Sequence, residues 1–158
     1  MMLSRAAQLN LLLHNLDWIT ITDIENRQIL QKTVYILQEF GWNENYTYNW
    51  YIGGPYSPAL MEDIFDICEN QDYYDEAIEG YKCVGRGINI INNYKKIFGE
   101  KINDKEWLEL FVSLLFIKKH YNLIGTALKD KLFESRKKYI DKQDLVDEAL
   151  TYFNLSRL

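Results

Sequence analysis

Few side chains in this 158-residue chain are of the kinds that make and break bonds. His14 and His120 are its two histidines, and neither has a cysteine, aspartate or second histidine at a metal-ligand offset. His14 reads as a helix-end residue. His120 reads as a solvated last-turn residue favoured by the helix dipole. The serines form no nucleophile elbow. Gly53-Gly54 and Gly85-Arg86-Gly87 lack the Lys-Ser/Thr ending or the third glycine of a phosphate loop. Eight carboxylates and no base lie between Glu62 and Glu79. They lack the spaced oxygens and glycine of a calcium loop, so the run reads as a solvated acidic face. Cys68 and Cys83 are too few for a disulfide framework. They are expected as free buried thiols, with a single bridge between them as the alternative. These residues point away from an enzyme, and no metal or cofactor is expected.

One stretch stands apart: Trp50-Tyr51-Ile52-Gly53-Gly54-Pro55-Tyr56-Ser57-Pro58. A strand-forming run from Tyr46 to Ile52 leads through a double glycine and a proline-fixed turn into a helix start. Ser57 is a good N-cap and Pro58 a good first helical residue. As a purely structural connection, the aromatics would fill the core. As a partner-binding corner, the glycines allow close backbone approach and the aromatics give contact area at low entropy. The candidate partner-binding residues are Trp50, Tyr51, Gly53, Gly54, Pro55 and Tyr56. Alternation puts Trp50 and Ile52 on one face and Tyr51 on the other, with one face expected against the helix at 27–40.

The elements that must hold this corner are mostly helical. Apolar spacing predicts helices over 4–16, from about 23 to Phe40, 58–70, 88–98, 104–121, 123–135 and 142–153. Thr22 with Glu25, Asn103 with Glu106, and Asp141 are the expected starts of three of them. Residues 71–87 are polar, tyrosine-rich and ambiguous. Nine of the eleven residues from Trp107 to Ile117 are apolar, which marks a central core helix. The expected fold is mainly α: a single compact helical domain, 1–158, with a short β-ribbon or β-hairpin.

Charge is unevenly spread. Residues 1–80 carry 3 basic groups against 13 acidic ones, and residues 81–158 carry 15 against 10. Either the halves complement each other, within the fold or across a homodimer, or the surface is bipolar with one face for a charged partner. The overall net charge of -5 disfavours a general nucleic-acid binder. The most apolar run is too short to span a bilayer, and no secretory leader pattern is seen, so a soluble cytoplasmic protein is expected.

The stretch Leu30-Gln31-Lys32-Thr33-Val34-Tyr35-Ile36-Leu37-Gln38, followed by an aromatic strand and Gly54-Pro55-Tyr56-Ser57-Pro58, resembles the YwgA-like family of small bacterial and archaeal proteins. More distantly it resembles the Panacea domain of antitoxins, related to the SocA-type protease adaptor. Trp107-Leu108-Glu109-Leu110 with Ser113 to Ile117 looks like the family's second-half core helix, and the segment around Ala149 like its last helix. Gly53 stands where an aromatic often precedes the Gly-Pro pair. The resemblance implies a helical domain that binds and controls another protein, such as a toxin or a protease-system component, with a phage or mobile-element setting open to it. The alternative is a winged-helix-like DNA-binding regulator with three short helices ahead of a β element. Its phosphate contacts would come from Lys118, Lys119, Lys129, Lys131, Arg136, Lys137, Lys138 and Lys142. The acidic first half weighs against it.

Overall fold

A computed structural model describes residues 2–42, 46–83 and 85–158. In chain order its helices and strands are α1 (Arg5–Leu13), α2 (Ile24–Glu39), β1 (Asn49–Tyr51), β2 (Gly54–Tyr56), α3 (Pro58–Glu69), α4 (Gln71–Ala77), α5 (Arg86–Phe98), α6 (Lys105–Tyr121), α7 (Gly125–Ser135) and α8 (Gln143–Ser156). The protein is therefore mainly α with one antiparallel β-hairpin, as its sequence predicts.

The helix ends follow local chemistry, with several shifts from expectation. Ser57 Oγ accepts from the Leu60 amide and Pro58 opens α3, as expected. α2, however, is capped by Asp23 rather than Thr22, its carboxylate accepting from the Asn26 amide. α6 is capped by Asp104 rather than Asn103, because Asn103 is taken into a 3-10 turn over Gly99–Asn103. α8 starts at Gln143 without any side-chain cap, so Asp141 does not open it. α1 stops at Leu13, three residues early, with His14 as its C-cap. The ambiguous stretch after residue 70 contains α4.

α6 lies at the centre, packed on α2, α7, α8 and β2. From Trp107 to Ile117 only Glu109 and Phe116 are less than fully buried. A ring cluster ties it to its neighbours: Phe98–Phe111 at 5.1 Å, Trp107–Tyr152 at 4.7 Å and Phe111–Phe153 at 4.9 Å between centroids. α2 is buried just as thoroughly, from Ile29 through Leu37, and that stretch includes Gln31, Lys32 and Thr33. It joins the α1–α3–α4 side of the molecule, through α3, to the side formed by α5 and α6.

The two halves do not neutralise each other in the way their charges suggest. Of the ion pairs among the described residues, only Lys95–Asp17 at 4.0 Å and Lys119–Glu39 at 3.4 Å join them. The others, such as Arg5–Asp63 and Lys129–Asp147, stay within one half.

Candidate functional site at the hairpin corner

Ile52-Gly53 is the bend of a hairpin, and Gly54-Pro55-Tyr56 is its return strand rather than a turn. Asn49 pairs with Tyr56, Trp50 with Pro55 and Tyr51 with Gly54. Pairing is limited to three residues a side, against the seven-residue strand expected, because Ser57 already belongs to the α3 cap. Two helices, α1 and α2, precede the hairpin, so the three-helix order of a winged-helix plan is not seen.

The hairpin is fixed at four points. Gln31 Nε2 donates to Ser57 O at 2.8 Å, and the Ser57 amide donates to Gln31 Oε1 at 2.9 Å, both buried. Tyr48 Oη donates to Gln31 O at 2.7 Å while its ring meets Tyr35 edge-on at 4.8 Å. Gly54, at φ +96°, lies so close to α6 that a Cβ there would stand 2.8 Å from Ser113 Oγ. This is the position where glycine is required, by both conformation and space. Finally, Arg136 donates to Tyr51 O and its guanidinium lies 4.6 Å from the Trp50 ring centroid. The segments Leu30–Gln38 and Gly54–Pro58, separate in sequence, are thus joined through Gln31 and Ser57.

This mount sorts the candidate residues. Trp50 is half-buried, with Phe116 of α6 at 5.6 Å on one side and Arg136 on another. Its ring packs on α6, while the residues just upstream meet α2, Tyr48 through the Tyr35 ring and Tyr46 through the Gln38 amide. Gly54 and Pro55 are buried. Tyr51 is 44 % exposed, stacked edge-on against Tyr56 at 5.2 Å. Ile52 is 94 % exposed, since it sits in the bend and leaves the Trp50 face. The accessible part of the corner is therefore Tyr51, Ile52, Gly53 and Tyr56. The Tyr56 hydroxyl is pushed to higher pKa by partial burial and then by Tyr51, so it stays neutral near pH 7.

Lys32, buried on α2, is the site's unusual charge. Among the described residues its ammonium reaches only Gln28 O, at 3.4 Å, and burial lowers its pKa to about 8, an effect that Glu109 opposes. Glu109 itself is paired with Lys138 at 2.9 Å. The sequence contained a signal for this. Consecutive helical residues are 100° apart, so Gln31, Lys32 and Thr33 fan across about 200° and cannot all face solvent inside an apolar run.

The basic residues considered for phosphate contact do not form one open patch. Lys118 donates to Leu158 O and lies over Phe153, Lys119 pairs with Glu39, Lys129 with Asp147, Lys131 with Glu134 and Lys138 with Glu109. Arg136 serves the hairpin. Lys137 and Lys142 are exposed. His14 meets Asp75 at 3.0 Å and His120 stacks on Phe116. Cys68 and Cys83 are unbridged, and half-buried rather than buried. Among the described residues no group of acidic, histidine and cysteine side chains could hold a metal ion, and no helix is long and apolar enough to cross a membrane. No protein-family model, curated protein or solved structure matches this chain.

Proposed function

We propose that this chain is a non-enzymatic interaction module that binds and controls another protein through the hairpin corner. The observation that carries this is the tip: Ile52 at 94 % and Tyr51 at 44 % exposure, on a two-stranded turn pinned at Gln31, Ser113 and Arg136. With the backbone on either side of the tip fixed in this way, little main-chain freedom is lost on docking, so burial of the tip converts efficiently into affinity. A hairpin that served only to connect α2 to α3 would gain by turning these side chains inward. The resemblance of Leu30–Gln38 and Gly54–Pro58 to YwgA-like and Panacea proteins supports the same reading, with a toxin or a protease-system component as the kind of partner.

A photo-crosslinking residue placed at position 52, and a second placed at Glu69 on the α3 surface, would test this in the native host. A discrete protein adduct is expected from position 52 and none from position 69. Adducts of the same protein from both positions, or from position 69 only, would overturn it.

A further inference from the structure

A cavity of about 270 Å³ lies behind the hairpin, lined by Asn49, Trp50, Phe116, His120, Tyr121 and Ser135, among others. Its walls are a chain of rings. Trp50 and Phe116 are 5.6 Å apart, Phe116 and His120 are 5.4 Å apart and nearly parallel at 13°, and Tyr121 meets His120 edge-on at 4.9 Å. Two cations lie over its rings without lining the cavity themselves: Arg136 over Trp50, and Lys131, paired with Glu134 at 3.6 Å, with its Nζ 4.7 Å from the Tyr121 centroid. Asn49 and Ser135, both exposed, add a polar amide and a hydroxyl to the lining. Arg136 Nε is buried without a hydrogen-bond partner.

We infer that this pocket is a nucleotide site, separate from the docking role of the hairpin tip. The base stacks among the rings, as unpaired bases do on aromatic side chains. Asn49 and Ser135 supply both donors and acceptors to its edge. The phosphate sits at the mouth beside Lys131 and Arg136, which still has free N–H donors after serving Tyr51. The volume is below the roughly 300–1,000 Å³ of drug-sized pockets, so one base with its sugar fits and a dinucleotide does not. A partner's phenylalanine or tryptophan ring would need stacking walls but would leave Asn49 and Ser135 without use.

The nucleotide could be free or part of a single strand, and two titrations of the purified chain distinguish these. One uses adenosine and uridine monophosphates, the other a short single-stranded oligothymidylate, both followed by calorimetry and saturation-transfer NMR. Binding in the first arm assigns a free nucleotide; binding in the second arm alone assigns a strand. In either case His120→Ala and Lys131→Glu, both surface changes, should weaken binding by about tenfold each while the melting curve stays put. The inference is overturned if neither ligand binds at millimolar concentration, if both variants bind like the parent, or if N-acetyltryptophanamide displaces the nucleotide at equal concentration. None of these outcomes touches the tip residues Tyr51 and Ile52, which lie outside the cavity.

Discussion

Replacing Lys32 by methionine should stabilise the protein at neutral pH, and the gain should disappear in alkali. Lys32 is only 7 % exposed, and the one acceptor its ammonium reaches among the described residues is a backbone carbonyl at 3.4 Å. Burial lowers its pKa from 10.5 to about 8. At about 1.4 kcal/mol per pH unit this displacement corresponds to about 3 kcal/mol of destabilisation while the group is charged in both states. Methionine keeps the length and apolar stem of lysine, and Glu109 keeps Lys138, so no buried charge is orphaned. The expected gain near pH 7 is about 1–3 kcal/mol, or roughly 3–10 °C in Tm for a chain this long. The pH dependence follows from the sign of the shift. The folded pKa is below the unfolded one, so the parent's penalty is complete below about pH 8 and fades as pH rises toward 10.5. The buried tyrosines Tyr48 and Tyr94 act oppositely above about pH 10, because burial raises their folded pKa. Their effect is common to both proteins and cancels in the difference. Urea denaturation of parent and variant across this range is the assay. A variant less stable than the parent at neutral pH, or a stability difference that does not shrink in alkali, would refute the reasoning.

Other substitutions probe the mount and the core. Gln31→Ala leaves the Ser57 amide and carbonyl buried without their partner, and should cost about 2–4 kcal/mol in chemical denaturation. Gly54→Ala meets both a φ of +96° and Ser113 Oγ and should cost about 1–3 kcal/mol. Gly53→Ala, with open space around it, should change stability by about 1 kcal/mol or less, so equal melting of these two variants would refute the close approach of β2 to α6. Leu114→Ala and Leu115→Ala, in the fully buried part of α6, should each cost about 2–5 kcal/mol, and variants that melt like the parent would remove α6 from the centre.

What the sequence shows of this fold is what local chemistry decides. The α6 run is apolar on every side, and only the centre of a helical domain accommodates that. Ser57-Pro58 sets a helix start by itself. Neighbouring cap candidates compete, and there local rules miss by one residue: Asp23 wins over Thr22, and Asp104 over Asn103. The corner is visible as a motif, but its working depends on partners far along the chain. Gln31 reaches Ser57 across 26 residues and Arg136 reaches Tyr51 across 85. No periodicity encodes such contacts. Arg136 accordingly reads as one more surface cation, and Ile52 as a strand residue on the Trp50 face rather than the exposed bend it occupies.

The most direct test of the corner is Ile52→Asp, with the dissociation constant for the crosslinked partner and the melting temperature measured on the same preparation. Position 52 is almost fully exposed, so folding stability should change by roughly 0.5 kcal/mol or less. A charge at the centre of the docking surface should weaken binding by about 2 kcal/mol or more, roughly thirtyfold. Unchanged affinity, or affinity lost only together with the fold, would show that the hairpin is a structural connection and not the binding element.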